Sequence, residues 1–441
     1  MMKKIVIAGA GAFHFAPSIL EDLFVRFRIP CELWLVDADL NMAELTARAA
    51  GKLAEGFGTE VRVFYTTRWD KAIPGADAVV LCSDFLEEDA WKKDFEALDA
   101  VGLGKQVRLM GGLGGAMQTM RASGFVADMA EEIKNTCPQE TVLLLCDSGF
   151  GGLQLSRACE AAQRILGVRT LGVSGVAEQT AHRLAMYLAV PEEETETVCA
   201  GLNGFSWVTT LRDRRDGTDL IPRCKKEMAE DVRQALSAQY IDWYGAIPAG
   251  DRVMQYELLG DTALSPRRTV VYSGVGEGDY ELRKRNLALL AVYGPTNPKG
   301  LQAWDQIRKT GLHSARPIEI LRALWGQGAC SVRSLTMPCD GSVPGVTMGR
   351  FVEGPATVDE KGVHGTPVEI PIELEDVLEQ VSLCNMLYAE AAATGNRDAL
   401  RQSLEIDPAL FGIDLLYSES VLNDMMEAQK EHLPRFFEGE E

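Results

Sequence analysis

The chain has 441 residues, of which 46% are hydrophobic and 24% are charged, and its formal net charge is −20. This length and composition predict a globular protein of two or three domains, and the negative charge argues against nucleic acid or an anionic membrane as a partner. Ten cysteines are scattered without CxxC pairs, the N-terminus has no signal-peptide pattern, and no apolar run reaches the roughly 18 residues of a membrane span. We therefore expect a cytoplasmic protein.

The first 37 residues follow the order strand, glycine-rich turn, helix and strand. An apolar run over residues 3–8 leads directly into Gly9 and Gly11, and a second run over residues 31–36 ends at Asp37. Such a βαβ unit is typical of dinucleotide binding, because the glycines let the backbone turn tightly and approach a pyrophosphate. Asp37 is placed to bind the adenosine ribose and to repel a 2′-phosphate, which favours NAD over NADP. The third glycine of the fingerprint is missing.

Further continuous apolar runs follow along the first half of the chain, at residues 61–65, 76–82, 141–146 and 169–173, with a helix-like segment at 40–55. Continuous runs indicate strands buried on both faces, so we predict a doubly wound parallel (Rossmann) sheet. Cofactor and substrate then meet at the carboxyl ends of the strands. The residues expected to bind the cofactor are Gly9, Gly11, Ala12, Phe13, Asp37 and Ser83.

Beyond residue 200 the pattern becomes mixed. A strand-like segment at 206–211 precedes helical stretches over 222–244, and a proline- and glycine-rich segment over 337–371 precedes helices that continue to the C-terminus. The predicted fold class is α/β, with an N-terminal NAD-binding domain over residues 1–197. A C-terminal mixed α+β domain over residues 198–441 would serve substrate binding and oligomerisation.

Several motifs together resemble one enzyme family. They are GAGAFHFAPSIL (9–20), LVDAD (35–39), GADAVVLCSDF (75–85), GLGKQVRLMGGLGGAMQTMRASG (102–124), GLNGFSW (201–207), GAIPAGDR (245–252) and the segment 385–408. In this order and spacing the chain resembles the NAD-dependent, metal-requiring glycosidases of glycoside hydrolase family 4, relatives of lactate and malate dehydrogenases. The resemblance implies a small sugar or glycoside as substrate and a homodimer or homotetramer.

The chemistry implied by the resemblance is redox-assisted elimination. NAD removes hydride from sugar C3, a base takes the acidified C2 proton, the aglycone leaves, water adds, and the ketone is reduced again. The resemblance places the base at Asp251, with Tyr240, Tyr244 and Tyr256 as alternatives, and Arg121 near the substrate. Lys105 and Arg108 are further candidate cations. The residues expected to contact the sugar are Asp147, Ser148, Asn203 and Arg252.

The family's divalent metal, usually manganese, polarises the C2 and C3 oxygens, and this sequence departs from the family at the metal ligands. The ligand positions that the resemblance implies are occupied by Ser174, Gly175 and Gly204. A serine hydroxyl is a poor ligand and glycine offers no side chain, so we predict that the usual metal site is absent. A relocated site would have to draw on His14, His182, Cys146 and Asp147.

Three functions remain open at this point. The first is an NAD-dependent glycosidase that works without the usual metal. The second is an NAD-dependent sugar oxidoreductase or epimerase, and the third is a non-catalytic NAD- or sugar-binding paralogue. Net production of NADH would distinguish the second, because the glycosidase cycle returns the hydride.

Overall fold

The structure of the chain, a computed structural model, describes residues 2–82, 88–104, 111–147, 152–250, 255, 258–259, 277–311 and 315–437. Within these residues twelve strands form one mixed sheet. The strands are β1 (Lys3–Ala8), β2 (Cys31–Val36), β3 (Val61–Thr66), β4 (Ala78–Leu81), β5 (Val142–Cys146), β6 (Thr170–Val173), β7 (Thr195–Leu202), β8 (Phe205–Asp213), β9 (Ile247–Pro248), β10 (Cys330–Pro338), β11 (Phe351–Asp359) and β12 (Gly362–Gly365). Their order is β3-β2-β1-β4-β5-β6-β10-β11-β7-β8-β9, and β12 pairs with β11.

Helices connect and cover these strands. They are α1 (Phe15–Glu21), α2 (Leu40–Phe57), α3 (Trp69–Ala72), α4 (Glu88–Ala100), α5 (Gly112–Thr136), α6 (Leu155–Cys159), α7 (Val176–Tyr187), α8 (Ile221–Glu230), α9 (Ala235–Tyr244), α10 (Glu277–Tyr293), α11 (Pro298–Arg308), α12 (Pro317–Leu324), α13 (Ile372–Thr394), α14 (Arg397–Ile406), α15 (Leu415–Ala428) and α16 (Pro434–Phe437). Segments of π-helix continue α1 and α6 over Asp22–Arg26 and Glu160–Ile165, and short 3₁₀ turns lie at Glu192–Glu194, Pro408–Leu410 and Lys430–His432. None of the described helices is both long enough and apolar enough to cross a membrane.

The first six strands are parallel to one another, with β1 between β2 and β4. Both faces of this part of the sheet are covered: Ile5 and Ile7 belong to one apolar core, whereas Val6 belongs to another on the opposite face. Every residue of β4 and β5 is buried. This confirms the predicted doubly wound α/β fold, since only strands buried on both faces are apolar throughout.

The second half of the chain extends the same sheet with antiparallel strands. Thr336 of β10 pairs with Gly172 of β6, and β11, β7, β8 and β9 follow. A Cβ atom at Gly172 would lie 2.8 Å from the Cβ of Thr336, so a glycine lets the two halves approach closely. The predicted division at residues 197/198 falls inside β7, which begins at Thr195, and the two domains remain a prediction.

The sequence reading of residues 337–371 as a proline- and glycine-rich segment missed β11 and β12. β11 contains Pro355, which has no backbone N–H, so it resembles a strand poorly in sequence. The structure accommodates it at a break in register, because Val332 pairs with Ala356 whereas Leu335 pairs with Gly354. β11 matters for the site because it carries Glu353.

Candidate functional site

The glycine-rich loop leaves β1 and turns back against the end of β2. The N–H groups of Gly9 and Ala10 both donate to the Val36 carbonyl at 2.9 Å, and the Ala12 N–H donates to the Gly9 carbonyl at 2.9 Å. Gly9 has a φ of 88°, in the region that favours glycine. The loop therefore has the tight turn that a dinucleotide site requires.

Asp37 closes this loop from the end of β2. Its carboxylate accepts the Gly11 N–H at 2.8 Å and the Asp39 N–H at 3.0 Å. Burial raises the pKa of the Asp37 carboxyl, and these two bonds oppose that shift. A Cβ atom at Gly11 would collide with Met42 and stand 3.0 Å from the Asp37 carboxylate. Glycine is thus needed at position 11 for packing within the chain, a reason that the motif alone does not reveal.

Helix α10, from the second half of the chain, contacts the same loop. Arg283 donates to the carbonyls of Ala12 at 3.3 Å and Phe13 at 2.6 Å, and its guanidinium lies 4.6 Å from the centre of the Phe13 ring. The next residue, Lys284, pairs with Asp39 at 3.2 Å. Sequence reasoning missed Arg283, because it lies 270 residues beyond the loop and stands in a charged stretch without any motif.

The carboxyl ends of β5 and β6 lie side by side. Asp147 follows β5, is 6% exposed, and donates its N–H to the Val173 carbonyl at 3.1 Å. The preceding Cys146 is buried, and burial raises the pKa of its thiol well above the usual value. A role of Cys146 in a relocated metal site is not tested by this shift, because a coordinating metal ion would itself deprotonate the thiol.

The two candidate histidines are engaged elsewhere. His14 Nδ1 lies 3.1 Å from the Thr310 carbonyl, and His182 Nδ1 lies 3.2 Å from the Glu192 carboxylate. Across the described ranges, no group of three or more histidine, cysteine, aspartate or glutamate side chains is arranged to hold a metal ion.

One altered ligand position, Ser174, and the neighbour of another, Asn203, converge on one buried carboxyl group. Glu353 Oε2 accepts a hydrogen bond from Asn203 Nδ2 at 2.8 Å and one from Ser174 Oγ at 3.4 Å. Glu353 is 1% exposed, and burial raises the pKa of its carboxyl group, which its hydrogen bonds oppose. Ser174 Oγ also accepts the Val176 N–H at 3.2 Å. Sequence reasoning missed Glu353, because it lies in the segment read as proline- and glycine-rich.

Asn203 and Gly204 form the tight turn between β7 and β8. The Asn203 carboxamide oxygen accepts the Leu155 N–H at 2.9 Å, and the Asn203 N–H donates to Ser156 Oγ at 3.2 Å. Gly204 has a φ of 76°, which a histidine would adopt only with strain. The Asn203 side chain thus links α6, β11 and the turn, and its contact with substrate remains a prediction.

These side chains do not fit a manganese ion. Such an ion takes anionic and neutral oxygen or imidazole ligands in a near-octahedral set. Here the Asn203 amide presents its N–H group to Glu353 and its oxygen to Leu155, while Gly204 has no side chain. Glu353 is the one carboxyl group that the described hydrogen bonds bring to Ser174. The described residues therefore fit an internal hydrogen-bonded cluster rather than the family's metal centre.

A second carboxyl group, Glu178, lies in the first turn of α7, four residues after Ser174. Burial raises its pKa to about 7, the negative charge of Glu353 acts in the same direction, and the cations Arg333 and Arg316 oppose it. The Glu178 Oε2 atom is buried without a hydrogen-bond partner. Two acidic groups thus lie close together beside the altered ligand position.

Arg121 lies on α5 and is held by an internal network. Its guanidinium donates to both carboxylate oxygens of Asp94, at 2.6 and 3.2 Å, and to Gln429 at 3.0 Å. Asp94 is 0% exposed. These contacts join α5 to α4 and to the segment after α15, and contact of Arg121 with substrate remains a prediction.

Several predicted residues lie outside the described part of the chain. They are Ser83, Lys105, Arg108, Ser148, Asp251, Arg252 and Tyr256. The segment just before Asp251 is anchored to α7, because the Gly250 N–H donates to Thr180 Oγ1 at 2.8 Å. Of the alternative bases, Tyr240 is 1% exposed, and burial raises the pKa of Tyr244, the opposite of what a base requires.

Similar proteins include sugar-cleaving enzymes of more than one specificity. An alpha-glucosidase from Erwinia rhapontici is 22% identical over 92% of this chain and 94% of its own length. An alpha-galacturonidase from Bacillus subtilis (strain 168) is 23% identical over 96% and 97%. The solved structure of a 6-phospho-alpha-glucosidase from gut microorganisms, in complex with NAD and Mn²⁺, superposes with a TM-score of 0.70 at 17% identity and covers 98% of this chain and 99% of its own.

Models of one family account for most of the chain. The model "Family 4 glycosyl hydrolase" matches residues 4–184, and the model "Family 4 glycosyl hydrolase C-terminal domain" matches residues 199–410. The first match contains the glycine-rich loop, Asp37 and Ser174, and the second contains Asn203 and Glu353. The chain belongs to the family 4 glycosyl hydrolases.

Proposed function

We propose that this protein is an NAD-dependent glycosidase that cleaves a glycosidic bond without the family's usual metal ion. The observation that carries the proposal is that Ser174, at an implied ligand position, and Asn203, next to the implied ligand position Gly204, both donate a hydrogen bond to Glu353. The glycine-rich loop has the turn expected for dinucleotide binding, which supports a reaction that still uses hydride transfer.

The glycine-rich loop and Asp37 would hold the cofactor. The backbone turn at Gly9 presents the loop to a pyrophosphate, while the Asp37 carboxylate at the end of β2 is available to an adenosine ribose. Ala12, Phe13 and Ser83 would complete the binding surface. Bound NAD supplies a hydride acceptor that returns the hydride at the end of the cycle.

The sugar would lie at the carboxyl ends of β5 and β6, where Asp147, Ser148, Asn203 and Arg252 would contact its hydroxyl groups. Its C3 hydrogen would leave as hydride to NAD and its C3 hydroxyl proton would pass to water, and the resulting C3 ketone acidifies the proton at C2. Asp251 would take that proton as the base, while the bond from C1 to the aglycone oxygen breaks and that oxygen takes up a proton from water. Water would then add at C1 as C2 regains a proton, and hydride would return to C3 as the C3 oxygen regains its proton.

Without a metal, the negative charge that develops on the sugar oxygen needs cations or hydrogen-bond donors. Arg252, Lys105 and Arg108 are the candidates for this role, and Arg121 would support the same region of the site from α5. The proposal also places the protein in the cytoplasm and makes it a homodimer or homotetramer. Light scattering on the purified protein would test the oligomeric state.

The test is release of nitrophenol from α- and β-linked nitrophenyl glycosides, phosphorylated and free, with and without NAD. Each assay is run with EDTA and with added Mn²⁺. We expect cleavage that requires NAD, persists in EDTA and leaves no net NADH. Cleavage abolished by EDTA would overturn metal independence. Net NADH without nitrophenol would indicate an oxidoreductase, and NAD binding without any turnover would indicate a binding protein.

A further inference from the structure

We infer that Arg283 is a positioning residue for the pyrophosphate of the dinucleotide, supplied to the glycine-rich loop by helix α10 from the other half of the chain. This inference rests on the proposed NAD-binding function. It assigns a specific task to a residue that no dinucleotide-binding motif contains.

The contacts of Arg283 are directed at the backbone of the loop. One arm of its guanidinium donates to the carbonyl of Ala12 at 3.3 Å, and the other donates to the carbonyl of Phe13 at 2.6 Å and to Thr310 Oγ1 at 2.7 Å. Thr310 Oγ1 lies 3.0 Å from the Phe13 carbonyl and 2.8 Å from the Ile307 carbonyl, and its single proton can be donated to either. Both carbonyls are therefore fixed on the protein side, which sets the planes of the peptides that follow them.

The charge of Arg283 is buried at the loop. The residue is 4% exposed, and its guanidinium stacks on the Phe13 ring. None of the described carboxylates lies within salt-bridge distance of it, since its recorded partners are two carbonyls and one hydroxyl. Burial lowers the pKa of Arg283 to about 10, so it remains charged at neutral pH.

A buried cation that has no acidic partner among the described residues favours an anion nearby, because the low dielectric of the interior weakens screening. The charged part of a dinucleotide that lies against a glycine-rich loop and the start of the following helix is its pyrophosphate. Arg283 thus acts in two ways: it fixes the carbonyls of Ala12 and Phe13, and its charge offsets that of the pyrophosphate. Both effects concern the phosphate part of the cofactor and leave the adenosine part unaffected.

The experiment is calorimetric binding of NAD, ADP and adenosine to wild-type protein and to Arg283→Gln. Loss of a charge-assisted contact should weaken NAD and ADP binding roughly 10- to 100-fold and leave adenosine binding unchanged. The matched control is Arg285→Gln, which removes an exposed arginine from the same helix and should change none of the three affinities.

Two further variants keep the test decisive if Arg283→Gln folds poorly. Arg283→Lys keeps the charge but cannot bond both carbonyls, so it should weaken NAD and ADP binding less than the glutamine variant. Thr310→Val removes only the hydroxyl that contacts both Arg283 and the Phe13 carbonyl. It should weaken NAD and ADP binding by a smaller factor and leave adenosine binding unchanged. Equal loss for ADP and adenosine in these variants would mean a purely structural role and overturn the inference.

The proposed function and this inference fail in different ways. Wild-type protein that binds no NAD would overturn the proposed function, and the inference with it. If the wild-type protein binds NAD and Arg283→Gln binds it with the same affinity, the inference is overturned and the proposed function is not.

Discussion

The glycine-rich loop and the cluster of Ser174, Asn203 and Glu353 (the Ser174 cluster) are held together in different ways. The loop is fixed mainly by its own backbone and by Asp37, 26 residues further along the chain. The Ser174 cluster draws its side chains from β6, the β7–β8 turn and β11, and Ser174 and Glu353 are 179 residues apart.

This difference bears on the proposal that the metal site is lost while the nucleotide loop is kept. A dinucleotide loop depends on backbone geometry, so Gly9 and Gly11 tolerate little change. A metal centre depends on a few side chains, and their loss can be balanced if a buried group satisfies the partners left behind. Glu353 satisfies both Ser174 and Asn203 in this way.

The largest effect is expected from removing Glu353. Glu353→Ala leaves the Asn203 amide and the Ser174 hydroxyl buried without their acceptor and opens a cavity, so the free energy of unfolding should fall by about 3 kcal/mol. Glu353→Gln keeps the shape and an accepting oxygen, so it should cost less than about 1 kcal/mol. Urea unfolding of both variants measures this, with the exposed Glu369→Ala as control.

The same samples test whether a metal is involved. If the proposed metal independence holds, wild-type protein should have the same Tm in EDTA and in Mn²⁺, because no ion would bind at Ser174 and Glu353. A rise in Tm on adding Mn²⁺ to the wild type, lost in Glu353→Ala, would show that the cluster binds the ion after all.

The second-largest effect is expected from removing Asp37, which contacts the glycine-rich loop. Asp37→Ala removes the acceptor of the Gly11 N–H and the carboxylate proposed for the ribose, so NAD affinity should fall roughly 10- to 100-fold. The preference for NAD over NADP should narrow, because the repulsion of the 2′-phosphate disappears. Calorimetry with both dinucleotides checks this, and Asp70→Ala, which breaks a surface pair with Arg68, is the control. An unchanged ratio of the two affinities would contradict the role of Asp37.

The sequence predicts the glycine-rich loop better than the Ser174 cluster, because the loop is built from contacts that are local in the chain and the cluster is not. The strands at 3–8 and 31–36, the turn at Gly9 and the acid at position 37 form one local pattern, and their arrangement follows from it. Glu353 and Arg283 are brought in by strand order and by helix docking, which single-sequence patterns do not encode. The sequence predicts which family ligand positions are altered, but it does not predict that Glu353 hydrogen-bonds to Ser174 and Asn203.

The smallest expected effect is a pH dependence of the free energy of unfolding. It arises at Glu178, in the Ser174 region, and not at the glycine-rich loop. Burial raises the pKa of Glu178 to about 7 in the folded protein, beside Glu353 and facing Arg333 and Arg316. In the unfolded chain a glutamate titrates near 4.3. The folded state therefore binds more protons between these values, and the stability contributed by neutral Glu178 is lost as pH rises through about 7.

Glu178→Gln removes that titration. Its free energy of unfolding should match the wild type near pH 4.5 and exceed it by about 1–2 kcal/mol at pH 8, since water at the partly exposed carboxyl reduces the full effect. Urea unfolding at several pH values measures the difference, and the exposed Glu193→Gln should follow the wild-type curve. Parallel curves for wild type and Glu178→Gln would mean that the Glu178 carboxyl group has the same pKa in the folded and the unfolded protein. Glu178 would then be ionised in the fold at neutral pH, and its carboxylate would be available to a bound cation.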